Sequence, residues 1–156
     1  MSRVVASFGG VGFCPVAPGT AGSAVAVLVG AGLMRGGPWA LPLGAVLATA
    51  LGFLAIPHAV TDRDADPGWV VIDEVAGQWV AMLGLGGVSP AGLLAAFVGF
   101  RILDIWKPGP VGWADRQPGA FGIMADDVIA GAIVALLLLA ARWIAPALQG
   151  GWPHDA

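Results

Sequence analysis

The sequence predicts an all-α protein: a compact, polytopic membrane bundle of about five apolar helices, with a polar functional site at the cytoplasmic interface. Hydrophobic residues make up 58% of the 156 residues and charged residues only 11%, whereas soluble domains carry about 25% charged residues. No acidic residue precedes Asp62, and the fixed charges before it are Arg3 and Arg35. The chain before Asp62 therefore has almost nothing with which to face water.

The first two apolar segments follow a glycine- and proline-rich stretch, residues 7–20, which reads as a loop. A helix is predicted over residues 20–34. We expect Thr20 to be its N-cap, because a threonine oxygen can accept a hydrogen bond from an N–H group of the first turn. A second helix is predicted over residues 39–60.

The remaining helices are predicted over residues 70–85, 90–104 and 126–145. Acidic residues stand at their ends, with Asp73 and Glu74 opening the third helix, Asp104 ending the fourth and Asp126 opening the last. A membrane span takes about 20 apolar residues. The third and fourth helices therefore either cross where the bilayer thins or enter it and return, and the last is long enough to cross.

The distribution of charge predicts the orientation. If all five segments cross, one side holds Arg3, Arg63, Arg101, Lys107 and Arg116, while the other holds Arg35 and Arg142. Basic residues are enriched on the cytoplasmic side of membrane proteins. Every acidic residue except Asp155 falls on the same side as the larger basic group. The topology therefore predicts a single cytoplasmic site.

The side chains gathered there suit phosphoryl chemistry. Carboxylate oxygens are the ligands that Mg²⁺ prefers, and the carboxylates are Asp73, Glu74, Asp104, Asp115, Asp126 and Asp127. Interleaved bases, Arg101, Lys107 and Arg116, can clamp a phosphate while a metal neutralises its charge. The start of the first helix, with Thr20 and Ser23, can offer backbone N–H groups to an anion.

Four ordered motifs carry a resemblance to a known family. They are Pro-Gly-Thr-Ala-Gly-Ser at 18–23, Asp-Glu at 73–74 inside an apolar helix, Phe-Arg-Ile-Leu-Asp-Ile-Trp-Lys-Pro at 100–108 with Asp-Arg at 115–116, and Gly-Ile-Met-Ala-Asp-Asp at 122–127. With these motifs the chain resembles the bacterial phosphatidylglycerophosphatase A family over about residues 8–139. We therefore expect one domain over residues 1–156, with its core at about 8–145.

The resemblance implies a Mg²⁺-dependent, multi-pass enzyme of the bacterial inner membrane, with its active site facing the cytoplasm. Its implied reaction is hydrolysis of the terminal phosphomonoester of the phospholipid phosphatidylglycerophosphate, giving phosphatidylglycerol and phosphate by attack of a metal-activated water. The expected catalytic residues are Asp73, Glu74, Asp104 and Asp127. The expected metal ligands are Asp73, Glu74, Asp104, Asp126 and Asp127, and the expected phosphate ligands are Thr20, Ser23, Arg101, Lys107 and Arg116. Further candidates are His58, Asp66 and Asp115.

Structural readings of the same residues stay open. Asp73 and Glu74 can cap a helix, as can Asp126 and Asp127. Asp104 and Lys107 can form an i,i+3 ion pair, and Asp115 with Arg116 a loop salt bridge. His58 stands at a helix end, where a lone histidine more often makes an interfacial hydrogen bond than acts as a base.

Other functional classes fit less well. A chain with net charge −3 and no run of basic residues does not suit nucleic acid. Cys14 has no following arginine to cradle phosphate, so a thiol phosphatase is disfavoured. A phosphatase acting on a different lipid-linked or small phosphomonoester remains an alternative. A small ion transporter with intramembrane carboxylates is more remote, because the bases would repel its cation.

Overall fold

The computed structural model describes residues 1–60 and 67–148. They form α-helices joined by short loops, with no β-strand among them. The helices are α1 (Ser2–Ala6), α2 (Pro18–Arg35), α3 (Ala40–Ala59), α4 (Ile72–Met82), α5 (Pro90–Trp106), α6 (Pro110–Asp115) and α7 (Gly119–Leu148), with a 3-10 turn at Val11–Phe13. The all-α prediction is confirmed, and residues 61–66, which include Asp66, lie outside the described part of the chain.

Helix α4 is the centre of the bundle. Of its 11 residues, 9 are buried, and it packs against α2, α3, α5 and α7. Its contact with α7 is close because both helices have a glycine at the crossing. A Cβ on Gly77 would lie 2.5 Å from the backbone oxygen of Asp127, and one on Gly131 would overlap the backbone oxygen of Gly77. Small residues at a crossing let helix backbones approach in this way.

The expectation of about five helices is corrected to seven α-helices among the described residues, of which α1 and α6 are short. α7 begins at Gly119 rather than at residue 126. Its first turns contain two glycines, which disfavour helix locally, but Met124 there is fully buried against the core. Thr20 as N-cap is also wrong. The N-cap is Ala17 at φ +47°, and Pro18 occupies the first turn, where its missing N–H costs nothing.

Within the described residues, two stretches are long and apolar enough to cross a membrane, Ala40–Ala59 and Gly119–Ile144. Both expose large apolar side chains, including Leu43 and Leu54 on α3 and Leu136 on α7. α4 is too short to cross alone, because its 11 residues extend only about 16 Å at 1.5 Å per residue.

The helices alternate in direction, so five helix ends meet at one end of the bundle. These are the starts of α2, α4 and α7 and the ends of α3 and α5. Contacts confirm the arrangement, because Gly19 of α2 lies against Glu74 of α4 and Gly52 of α3 lies against Ile72. At the same end, Lys107 after α5 bonds to Asp126 of α7. Most of the polar side chains of the described chain gather at this end.

Candidate active site

Three carboxylates meet where the start of α4 faces α7. Asp73 and Glu74 lie in the first turn of α4, and Asp127 reaches them from α7. One oxygen from each lies within 4.8 Å of the other two. Asp73 is 8% exposed and Asp127 is 2% exposed. We call these three residues the carboxylate trio.

Among the described residues, one basic side chain approaches the trio: Nη1 of Arg101 lies 4.0 Å from Oε1 of Glu74. Oδ1 of Asp73 and Oε2 of Glu74 are buried and have no hydrogen-bond partner in the described chain. Burial raises the pKa of Asp73 well above its usual value, and the neighbouring charges of Glu74 and Asp127 add to that shift. Burial likewise raises the pKa of Glu74 to about 7. Buried carboxylates that are neither paired nor protonated are strongly unfavourable, so the arrangement favours a bound cation.

The chemistry of the donors fits Mg²⁺. The ion binds oxygen ligands, usually one or two carboxylates together with water and phosphate oxygens. The trio supplies such oxygens, with two of them unpartnered. A cavity of about 290 Å³ opens in front of them, which leaves room for water and a phosphate group. The residues that could hold the ion are therefore Asp73, Glu74 and Asp127.

Two further acids that the sequence assigned to the metal engage basic side chains instead. Asp104 pairs with Arg101 three residues before it on α5. Asp126 accepts a hydrogen bond of 2.9 Å from Nζ of Lys107. Both acids still line the cavity beside the trio. Their assignment as metal ligands stays a prediction, and their side chains are already partly neutralised.

Lys107 joins three elements at the mouth of the cavity. It caps the C-terminus of α5 with a left-handed backbone, φ +47°, and its ammonium group bonds to Asp115 at the end of α6 and to Asp126 of α7. Burial alone would lower the pKa of Lys107, but these two hydrogen bonds hold it above its usual value. Lys107 therefore stays protonated and lines the cavity, where it can meet a phosphate.

Arg101 is placed differently. Its Nη1 pairs with Asp104 and lies 4.0 Å from Oε1 of Glu74. It does not line the cavity, although both of its acidic partners do. The guanidinium thus supports the carboxylates from behind. Its assignment as a phosphate ligand stays a prediction.

The cavity is lined from α4 to α7. Its polar walls come from Asp73, Glu74, Asp104, Lys107, Asp115, Gln117, Asp126 and Asp127, and the rest of the lining comes from Gly68, Val70, Pro118, Gly119, Gly122 and Ile123. The third and fourth motifs and the Asp-Glu pair, far apart in the chain, are therefore brought together. Lys107 and these acids line one cavity.

Four other predicted residues stand away from this cavity. Ser23 is buried, and its hydroxyl donates to the backbone oxygen of Gly19 at 2.8 Å. Thr20 lies in the first turn of α2 and does not line the cavity. Arg116 follows α6 on the surface with no ion pair to the described residues, and Asp115 pairs with Lys107 instead. His58 is exposed in the last turn of α3. Asp66 lies outside the described residues.

Comparison with known proteins decides the family. The model of the family described as phosphatidylglycerophosphatase A matches residues 4–142. The chain belongs to this family. The resemblance predicted from the four motifs is confirmed, and so is the prediction that the protein is an enzyme, a phosphatase of this kind.

Three relatives of this member of the phosphatidylglycerophosphatase A family are informative. The phosphatidylglycerophosphatase A of Escherichia coli (strain K12) is 39% identical over 132 residues, which cover 83% of this chain and 76% of that protein. The phosphatidylglycerophosphatase A of Haemophilus influenzae is 32% identical, covering 86% and 84%. A Bacteroides thetaiotaomicron protein whose name proposes a phosphatidylinositol-3-phosphatase is 36% identical, covering 86% and 89%. No solved structure matches this chain.

Sequence reasoning did not single out two residues next to Glu74, Gln78 and Gly19. Gln78 follows Glu74 by one helical turn, is fully buried, and has no hydrogen-bond partner for either amide atom in the described chain. Its signal was an amide inside an apolar run. Gly19, which the first motif contains, touches the Glu74 and Arg101 side chains. No sequence signal could show that contact, because it joins positions far apart in the chain.

Proposed function

We propose that this protein hydrolyses the terminal phosphomonoester of phosphatidylglycerophosphate, giving phosphatidylglycerol and inorganic phosphate in a Mg²⁺-dependent reaction. The observation that carries the proposal is the buried carboxylate trio, with unpartnered oxygens, beside a cavity that Lys107 also lines. The substrate follows from two relatives that bear the name phosphatidylglycerophosphatase A.

The proposed location is the bacterial inner membrane, with several crossings and the cavity facing the cytoplasm. Support comes from the two apolar helices long enough to cross and from their exposed leucines. Arg3, Arg101, Lys107 and Arg116 belong to the segments at the cavity end, whereas Arg35 and Arg142 lie near the opposite helix ends. That distribution follows the enrichment of basic residues on the cytoplasmic side. A phosphate group at the lipid headgroup would then reach the cavity while its acyl chains stay in the bilayer.

In the proposed mechanism the trio holds the metal and the remaining side chains handle the substrate. Bound Mg²⁺ supplies charge neutralisation for the phosphate and makes a nearby water more acidic. The ammonium group of Lys107, fixed by Asp115 and Asp126, attracts a phosphate oxygen.

Asp104 is the carboxylate best placed to take a proton from the attacking water. It lines the cavity but lies outside the trio, and its pairing with Arg101 holds it in place. The water oxygen forms a bond to phosphorus while the bond from phosphorus to the lipid oxygen breaks. The lipid oxygen leaves as the alcohol of phosphatidylglycerol by taking up the proton that Asp104 accepted, and this restores the Asp104 carboxylate.

A second candidate substrate is a different lipid phosphomonoester. The name of the Bacteroides thetaiotaomicron relative proposes a phosphatase for phosphatidylinositol 3-phosphate. The trio and Lys107 would serve both lipids equally, because they address only the phosphate.

The test is phosphate release by the detergent-purified protein from phosphatidylglycerophosphate, phosphatidylinositol 3-phosphate and glycerol 3-phosphate, each with Mg²⁺ and with chelator. We expect release from phosphatidylglycerophosphate only, and only with Mg²⁺. Faster release from the inositol lipid would favour the second candidate. Release in chelator would contradict the metal role, and no release from any of the three by folded protein would contradict the phosphatase reading.

A matched pair of variants sharpens the test. Asp73→Asn removes a carboxylate of the trio, and Gly32→Ala changes a residue of α2 with open space around it. We expect Asp73→Asn to lose release by several orders of magnitude and Gly32→Ala to keep the wild-type rate.

A further inference from the structure

At the cavity end, α2 contacts α4 through a glycine, which has no side chain. Gly19 lies in the first turn of α2. A Cβ built there would overlap Oε1 of Glu74, would lie 3.1 Å from the Glu74 carboxyl carbon, and would lie 3.3 Å from Nη1 of Arg101. The backbone of α2 therefore packs directly on the Glu74–Arg101 pair.

This packing confines the Glu74 carboxylate. On one side stands the α2 backbone, and on another stands the Arg101 guanidinium, 4.0 Å from Oε1. The other oxygen, Oε2, is buried without a hydrogen-bond partner in the described chain, and the carboxylate reaches Asp73 and Asp127 within 4.8 Å. The side chain of Glu74 has one more rotatable bond than that of an aspartate, so the position of its carboxylate depends on what surrounds it.

We propose that Gly19 is a positioning residue of the metal site: because it has no side chain, α2 packs against the Glu74–Arg101 pair and holds the Glu74 carboxylate toward Asp73 and Asp127. The inference rests on the metal site in the proposed function. It adds a role for the first motif, whose hydroxyl residues do not line the cavity.

A substitution at Gly19 should change metal binding without changing the stability of the fold. The backbone of Gly19 does not have a positive φ, so alanine fits its helical conformation, and alanine has a higher helix propensity than glycine. The overlap falls on the far end of a flexible side chain, which can swing aside. Gly19→Ala should therefore leave the fold intact and move Glu74 out of the trio.

The experiment is a Mn²⁺ titration of the full-length, detergent-purified protein, following free Mn²⁺ by electron paramagnetic resonance as a stand-in for Mg²⁺. The variants are Gly19→Ala and the matched control Gly32→Ala, a glycine of the same helix with nothing within 4 Å of the added Cβ. Changes that disturb the support of a metal ligand typically weaken affinity about 10–100-fold. We expect Kd for Mn²⁺ to rise about tenfold or more in Gly19→Ala, and Gly32→Ala to match the wild type.

A thermal melt in chelator accompanies the titration. Gly19→Ala with a wild-type melting temperature and weakened Mn²⁺ binding supports the proposal. Wild-type Mn²⁺ binding by Gly19→Ala overturns it, and so does equal weakening in Gly32→Ala.

A double-mutant cycle covers the case in which Gly19→Ala melts early. Glu74→Asp shortens the side chain that the new methyl group would strike. If the overlap acts through Glu74, the effects of Gly19→Ala and Glu74→Asp on Mn²⁺ affinity are not additive, and additive effects overturn the proposal. The test of Gly19 does not depend on the proposed substrate. A wild-type protein that binds Mn²⁺ but releases no phosphate from the lipid contradicts the substrate, while the Mn²⁺ titration still decides the role of Gly19.

Discussion

Asp73→Asn should make the metal-free protein more stable while destroying its activity. The reason is repulsion within the trio, whose oxygens lie within 4.8 Å of one another. At that separation each ionised pair repels by about 3.5 kcal/mol for an effective dielectric constant of about 20. Proton uptake relieves part of this cost, because burial raises the pKa of Asp73 and of its neighbour Glu74. We expect a net gain of about 1–3 kcal/mol from the asparagine.

The direction in which stability changes with pH follows from these raised pKa values. A carboxyl whose pKa is raised on folding binds protons more tightly in the folded state, so stability falls as the pH rises. For Glu74 the loss sets in above its usual pKa of 4.5 and is complete once the pH has passed its folded value of about 7. Asp73→Asn removes a second carboxyl with a raised pKa, so its advantage over the wild type in chelator should grow as the pH rises above the usual pKa of Asp73, 3.8.

The assay is thermal unfolding in detergent at pH 8, with chelator and with Mg²⁺, beside phosphate release. A gain of 1 kcal/mol raises the melting temperature of a chain of this size by about 2–4 °C, so Asp73→Asn should melt several degrees above the wild type in chelator. Mg²⁺ should stabilise the wild type and not the variant. Asp115→Asn is the control, because its acid is more exposed and paired with Lys107. A variant that melts at or below the wild type, or keeps Mg²⁺-dependent turnover, would refute the reasoning.

Three further outcomes are expected. Lys107→Met should lower the free energy of unfolding by about 2–3 kcal/mol, because the Asp126 carboxylate loses the hydrogen bond of 2.9 Å from Nζ of Lys107. Chemical denaturation measures this loss. Adding Asp126→Asn should restore most of it. Gly77→Ala should cost about 1–3 kcal/mol, since its Cβ would lie 2.5 Å from the Asp127 backbone oxygen; an unchanged melting temperature would contradict the close packing of α4 on α7. Asp127→Asn should abolish phosphate release while the protein still sediments with membranes. Substantial Mg²⁺-dependent release by this variant would contradict the role of Asp127 as a metal ligand.

Much of the fold was readable from the sequence. Long apolar runs can only be buried or face lipid, so the all-α class and the approximate positions of α2, α3, α4, α5 and α7 followed from composition and the placement of glycine and proline. Helix boundaries were less accessible. α7 begins at Gly119 because burial of Met124 outweighs the weak helix propensity of the glycines around it.

The candidate site, too, was predictable from the sequence only in part. The types of residue and their order in four motifs determined the family and the set of acids and bases, because both are properties of the local sequence. Which of these side chains lie close together depends on the fold. The sequence could not tell Asp126 from its neighbour Asp127, since adjacent residues point about 100° apart on a helix and only the rotation of α7 decides which one meets α4.

The sequence by itself thus determined the helical class, the family and the pool of charged side chains, since these depend on composition and local order. Only the tertiary structure decided that Asp127 joins Asp73 and Glu74, that Lys107 faces the cavity while Arg101 supports it from behind, and that Gly19 touches Glu74. Each of these depends on how two helices cross. Crossing geometry is set by the packing of side chains distant in sequence, and no local pattern encodes it.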